Sequence, residues 1–315
     1  MTDRILGTDG AVMSRAQPPQ TRSGDTRDGG RRLPRGRYRV GKLLGHGGLA
    51  EVYLADDTVL DRQVAVKVLR AERLNEPGMV ERFQQEAETI AGLDHPGIVS
   101  VLAGGDNFVT DPQSDLAGRP YIVMEYLDGA TLQARLNEQT SAPAGLSVDE
   151  ALRIMSQVLA SLAYGHGQGV VHGDVTATNV MLTTTGLVKL IDFGSSAQVV
   201  TEKGATMPLA HDATLRYVPP ERAQGELFDA RADLYSAGCL LYELLTGRTP
   251  FAGPSPVDLA HQHVHQQPEP PSTYCQQIDP ELDAVVLRSL AKSPEARHQS
   301  AQDFLNELCA TRYAR

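Results

Sequence analysis

The densest chemistry in the chain lies in residues 170–194, where V-V-H-G-D-V-T-A-T-N-V-M-L is followed after seven residues by L-I-D-F-G. Asp174, Asn179 and Asp192 put three hard oxygen ligands on short loops between apolar, strand-like segments, with eighteen residues from the first Asp to the second. So few hard oxygens suit Mg²⁺, which keeps waters and completes its shell with substrate phosphates. Taken singly, each could equally be a turn residue. A second group lies upstream. Residues 44–52 read L-G-H-G-G-L-A-E-V, a glycine-rich turn whose backbone N–H groups can approach phosphate oxygens without side-chain obstruction. An ordinary hairpin turn has the same composition, and Ala50 stands where the third glycine of G-x-G-x-x-G belongs. Lys67 is a lone cation on an apolar strand. It is either an exposed edge lysine or a phosphate-pairing cation held by a carboxylate, for which Glu86, nineteen residues on, is available.

These residues need elements to hold them. Residues 38–44, 51–55 and 63–69 have strand composition, and a period of two puts Val64, Val66 and Val68 on one face with Ala65 and Lys67 on the other. The spacing predicts a helix entered near residues 75–77, with Asn75 as cap and Pro77 in the first turn. Its stripe is Phe83, Ala87, Ile90 and Ala91, with Glu86 beside it. Two more strands are expected over 98–103 and 120–126, joined by a Gly/Asp/Pro-rich loop over 104–119. Beyond Tyr126 the chain turns mostly helical. Ser147 opens a capping box before Leu152, Met155, Leu159 and Leu162. An apolar helix over 231–246 stops at Gly247, Asp279 caps another, and residues 300–308 make a last one. The order is a strand-rich N-terminal lobe, a connector near 125–129 and a larger helical lobe.

Composition bounds the class. The 315 residues are 41% hydrophobic and 22% charged, too apolar for a disordered chain, and no apolar run approaches the ~20 residues that span a bilayer. Three widely spaced cysteines make neither a disulfide framework nor a zinc site, so the expectation is a reduced, soluble, cytoplasmic protein. The net charge of −10 is uneven: residues 1–37 hold eight Arg against four Asp, and the remainder carries 21 basic against 35 acidic residues. An acidic body argues against nucleic acid as a partner. His95, His166 and the cluster His261, His263 and His265 are expected to be turn and surface residues, the cluster at a helix end, and Cys239 a small core residue.

The motifs together, H-x-D-x-x-x-x-N and D-F-G in this order, resemble the bacterial eukaryotic-like (Hanks-type) serine/threonine protein kinases of the actinobacterial kind. The resemblance covers about residues 37–310. It includes V-A-V-K at 64–67, Y-I-V-M-E-Y at 121–126, Y-V-P-P-E at 217–221, D-L-Y-S-A-G-C at 233–239 and Arg297 in K-S-P-E-A-R. It implies an α+β, bilobal fold with a five-stranded antiparallel sheet and one helix in the N-lobe (37–126) and a mainly helical C-lobe (127–310). A disordered basic arm (1–36) would precede it and a short tail (311–315) would follow. ATP and Mg²⁺, or Mn²⁺ in its place, are the implied cofactors. The implied partner is a protein with a Ser/Thr acceptor, with a homodimer allowed and no membrane segment. Leu44, Gly45, His46, Gly47, Gly48 and Val52 would cover the nucleotide, and Lys67 would pair its α/β-phosphates and Glu86. Val52, Ala65 and Met181 or Leu182 would sandwich the adenine, with Met124 as gatekeeper and Glu125 to Leu127 as hinge. Asp174 would orient the acceptor hydroxyl, while Asn179 and Asp192 hold the metal. Residues 195–221 would form the activation and docking segment, Glu221 and Arg297 an ion pair, and Asp233 an anchor of the catalytic loop.

Two residues depart from that pattern. Gly173 replaces the arginine of H-R-D, which in the family clamps an activating phosphate; a phosphate at Thr201, Thr206 or Thr214 would lack its usual partner. Thr176 stands where a lysine usually meets the γ-phosphate, which implies slower transfer. Two rival readings follow: a nucleotide-binding pseudokinase scaffold, or a small-molecule phosphotransferase of the aminoglycoside or choline kinase type, which shares H-G-D.

Overall fold

A computed structural model describes residue 33 and residues 37–104, 116, 118–138, 145–193 and 212–314. The arm apart from Leu33, most of the 104–119 loop, and residues 194–211 with Thr201 and Thr206 lie outside the described residues.

Five strands pair antiparallel in one sheet: β1 (Tyr38–His46), β2 (Ala50–Asp57), β3 (Arg62–Leu69), β4 (Val101–Ala103) and β5 (Tyr121–Glu125), in the order β1-β2-β3-β5-β4. Alternation along β3 divides the core. Val64, Val66 and Val68 join Tyr38, Val40 and Val123 in an outer apolar cluster. Ala65 and Leu69 join Leu44, Val52 and Met124 in the cluster that continues into the helical lobe. Lys67 shares the second face, and its strand is the middle one, paired with Val52 on one side and Ile122 on the other. It is therefore not an edge lysine.

Helix α1 (Met79–Ala91) buries Phe83, Glu86, Ala87 and Ile90. Asn75 does not cap it: the turn that follows the 3₁₀ segment Ala71–Arg73 runs on through Gly78, and the helix starts after Gly78 with no side-chain cap. Pro77 accounts for the delay, because the residue before a proline is pushed out of the helical region. The 98–103 strand shrinks to β4, with Ile98 making only a parallel bridge to Leu190.

The C-lobe holds β6 (Gly129–Thr131), α2 (Leu132–Asn137), α3 (Val148–Gly167), β7 (Val180–Thr183) and β8 (Val188–Leu190). Then follow α4 (Asp212–Leu215), α5 (Pro220–Ala223), α6 (Ala230–Thr246), α7 (Pro256–His265), α8 (Pro280–Ser289) and α9 (Ala301–Ala310). Ser147, Asp229, Asp279 and Ser300 each accept a backbone N–H at a helix start. Strands β6, β7 and β8 form a small antiparallel sheet, too short to show a period of two in the sequence.

The lobe boundaries extend past the expected ones at both ends. Leu33 is buried and its N–H donates to the Tyr38 carbonyl at 3.1 Å. Thr311 is buried, and the Tyr313 hydroxyl donates to the Gln277 carbonyl at 2.5 Å and accepts from the Asp279 N–H at 3.1 Å. Two histidines are not surface residues. His263 lies inside, 2.9 Å from the Tyr235 hydroxyl and edge-on to Phe251, and His166 reaches Asp233. The His261–His265 run does close a helix, α7. Cys239 is buried in α6 as expected.

Candidate active site

The cleft is built around Lys67. Its Nζ donates to Glu86 Oε1 at 2.7 Å and to Asp192 Oδ1 at 2.8 Å, bridging β3, α1 and the loop after β8. The lysine is 6% exposed. Burial works against its charge, but the Asp192 and Glu86 carboxylates outweigh it and raise its pKa, so it stays protonated. Asp192 sits at φ 60°, a left-handed conformation that an L-residue holds only when its surroundings impose it. The anchor is the next residue. Phe193 is fully buried, with its ring 4.8 Å from that of His172. It packs on Gly165 of α3, where a Cβ would stand 2.3 Å from the Phe193 ring.

Asp174 and Asn179 are joined directly. Asn179 Nδ2 donates to the Asp174 carbonyl at 2.9 Å and to its Oδ2 at 2.8 Å, while Asp174 Oδ1 is buried without a hydrogen-bond partner among the described residues. Burial raises the Asp174 pKa, and the charge of Arg222 and the Asn179 bond oppose the rise. His172 Nδ1 accepts the Asp174 N–H at 3.2 Å, so its Nε2–H donates to the Ile191 carbonyl at 3.1 Å. That is the neutral tautomer, and burial lowers the imidazole pKa accordingly. Beneath the loop, Asp233 of α6 accepts the His172 N–H at 2.8 Å, the Gly173 N–H at 2.7 Å and His166 Nε2 at 2.8 Å. Burial opposes its ionisation, yet these partners keep its pKa low.

Over residues 38–314 the chain matches the protein kinase domain family. It belongs to that family. A probable serine/threonine-protein kinase of Streptomyces coelicolor, SCO3848, is 47% identical over 271 residues, which cover 85% of this chain and 39% of that protein. Serine/threonine-protein kinase PknB of Mycobacterium tuberculosis is 43% identical over 274 residues, covering 86% of this chain and 42% of that protein. The chain thus spans about two-fifths of the length of these curated relatives. Among solved structures, the PknI kinase domain of Mycobacterium tuberculosis superposes with a TM-score of 0.67 at 28% identity, covering 90% of this chain and 98% of that one. The resemblance to actinobacterial Hanks-type kinases and the bilobal α+β fold are borne out.

The remaining expected residues lie on β1, on the glycine turn and in the buried core that runs through both lobes. Gly47 and Gly48 turn between β1 and β2, with the Gly47 N–H on the Ala50 carbonyl at 2.8 Å, and His46 ends β1. Leu44, Val52, Ala65, Met124, Leu127 and Met181 share one buried cluster, with Leu182 half-buried against it. Leu44 and Gly45 lie on β1 and are buried. The Glu125 carboxylate is engaged through Oε1. Lys189 Nζ holds its Oε1 at 2.5 Å, and the Ser100 N–H reaches the same oxygen at 2.8 Å. Thr176 is 2% exposed and its hydroxyl lies 2.8 Å from that of Thr178. Its hydroxyl is therefore engaged within the loop. The Glu221–Arg297 pair is buried, with two bonds of 2.8 Å.

The donor set fits a metal shared with phosphates. Asn179 Oδ1 and Asp192 Oδ2 accept no hydrogen bond among the described residues, and Mg²⁺ commonly uses one or two such protein oxygens. No group of three or more His, Cys, Asp or Glu fit to cage a metal occurs among the described residues. No described helix is long and apolar enough to cross a membrane.

Sequence reasoning missed three cations. Arg70 Nη1 and Arg73 Nε donate to the carbonyls of Gly47 and Gly48 at 3.2 and 3.0 Å, tying down the glycine turn. Arg222 of α5 donates to the Gly173 carbonyl. Its position directly after P-P-E was the one available signal. A contact spanning 49 residues leaves no periodic trace.

Proposed function

We propose that this chain uses ATP and Mg²⁺ to phosphorylate serine or threonine hydroxyls of proteins. The observation that carries this is Lys67, held at 2.7 Å from Glu86 and 2.8 Å from Asp192, because that bridge presents a fixed cation to phosphate oxygens at the mouth of the metal site. The catalytic unit is residues 37–310, extended to 314 by the packing of Tyr313. The glycine turn covers the phosphates. Val52, Ala65 and Met181 or Leu182 enclose the adenine beneath the Met124 gatekeeper, with the backbone of Glu125 and Leu127 as its polar edge. Asp174 orients the acceptor hydroxyl and takes up its proton as the γ-phosphorus–oxygen bond to the acceptor forms and that to ADP breaks. When bound through Asn179 and Asp192, Mg²⁺ neutralises charge on the phosphates.

Activity is slow and independent of phosphate on the docking segment, since neither Gly173 nor Thr176 carries a cation. The test is transfer of labelled γ-phosphate from ATP/Mg²⁺ to a generic protein, followed by phosphoamino-acid analysis, before and after phosphatase treatment. Phosphoserine or phosphothreonine at equal rates supports the reading. A large loss on treatment overturns phosphate independence, and label on small hydroxyl or aminoglycoside acceptors alone overturns the protein substrate. The buried, Thr178-bonded Thr176 favours a second reading, a nucleotide-binding scaffold. That reading predicts ATP binding with no transfer.

A further inference from the structure

Residues 170–179 contain no Lys or Arg, although Asp174, Asp192 and Asp233 converge on them. Among the described residues, the neighbouring cations are mostly committed elsewhere. Lys67 serves Glu86 and Asp192, Arg297 serves Glu221, and His172 is neutral. Arg222 turns toward the loop. Its Nη1 donates to the Gly173 carbonyl, and its charge faces Asp174, Asp233 and Glu221. The guanidinium lies over the Phe228 ring, 5.2 Å from its centroid, which limits its swing. Helix α5, which carries it, is pinned by the two Glu221–Arg297 bonds. The receiving residue is a glycine at φ 78°. An arginine side chain there would be strained, so the missing H-R-D cation and the acceptance of one from α5 belong to the same local backbone.

We propose that Arg222 is a positioning residue for phosphoryl transfer, holding the Gly173 carbonyl and supplying from α5 the positive charge that positions 173 and 176 lack. This rests on the kinase reading above. It also explains how the catalytic loop can be ordered without a phosphate on the docking segment: the clamp is a side chain of the fold itself, bonded to the loop backbone.

The test uses the full chain with Arg222→Gln, Arg222→Lys, Thr176→Lys and the Arg222→Gln/Thr176→Lys double variant. Readouts are kcat, the KM for ATP, thermal midpoint, and hydrogen exchange of the amides of residues 171–176. We expect Arg222→Gln to lower kcat by about tenfold to a hundredfold, as for a small misplacement of catalytic groups. The KM for ATP should stay within about threefold, because the nucleotide is held by Lys67 and the glycine turn. Loop amides should exchange about tenfold faster while the core amides of α6 do not change. Arg222→Lys should recover part of kcat. Thr176→Lys should raise kcat by a larger factor in the Arg222→Gln background than in the parent, since either cation can serve the same charge. A kcat for Arg222→Gln within threefold of the parent would overturn the proposal, as would unchanged loop exchange. Equal Thr176→Lys factors in both backgrounds would remove the charge-supplying role. If the parent transfers no phosphate, the kinase reading fails. Loop exchange then decides alone: acceleration upholds the clamp and no change overturns it.

Discussion

Lys67 meets two carboxylates at once, and each would be left exposed to a different loss without it. Glu86 is buried on α1 and Asp192 is one-third exposed at the cleft. Lys67→Met should cost stability by about 3–5 kcal/mol, the usual penalty for leaving one half of a buried pair uncompensated, and should abolish transfer. Thermal unfolding and the transfer assay together check this; a variant as stable as the parent would mean that Glu86 finds another partner. At Thr176 the change runs the other way. Thr176→Lys should raise kcat by about tenfold, in line with one added electrostatic contact to the transferring group, and no rise would count against a deficit there. Lys67, Asp174, Asn179 and Asp192 were legible in the sequence because they fall together in motifs of fixed order and spacing; singly, each could have been an edge or turn residue. Arg222 was not, since arginine after a proline-rich turn is ordinary surface chemistry until its partner across the fold is known. The Thr178 partner of the Thr176 hydroxyl was not legible either, being a matter of loop geometry that the sequence does not print.

At the scale of elements, α3 decides where the D-F-G loop points. Gly165 leaves room for Phe193, and Phe193 fixes Asp192 against Lys67. Gly165→Ala should displace the ring, since its Cβ would stand 2.3 Å from Phe193. Overpacking of this kind costs about 1–3 kcal/mol. Unlike an ordinary surface change it should lower kcat as well, by turning Asp192 away. A normal kcat with a lowered thermal midpoint would show that Asp192 is held by Lys67 alone. The long elements were readable from pattern. The alternation of β3 put Lys67 and Ala65 on one face, and the capping residues of α3 and α8 marked their starts. The short ones were not. β6, β7 and β8 have three or four residues each and are held by pairing that no local pattern announces. The start of α1 slid past Asn75 because Pro77 and Gly78 overrode a good cap.

For the whole molecule, stability and chemistry share the C-lobe core. His263 is buried against Tyr235 and Phe251, and burial, aided by the charge of Lys292, lowers its pKa from 6.5 to about 3. Between those values the unfolded chain binds a proton that the folded chain refuses. Its effect on stability is therefore absent above pH 6.5 and grows more unfavourable as pH falls toward 3, reaching about 2 kcal/mol at pH 5. Thermal midpoints at pH 7.5 and pH 5 should differ less in His263→Gln than in the parent; equal differences would place the acid sensitivity elsewhere, for example at buried His172. The bilobal arrangement itself was legible from the order of motifs, because a strand-rich segment and a helical segment separated by one connector have few ways to face each other. How their residues meet in the cleft was not. What tests the kinase reading hardest is labelled γ-phosphate transfer from ATP/Mg²⁺ to a generic protein by the parent and by Asp174→Asn side by side, with ATP binding followed in both. A working site gives measurable turnover in the parent and a loss of at least about a hundredfold in Asp174→Asn, with ATP bound equally. Binding without turnover in the parent, or equal turnover in both, would contradict it.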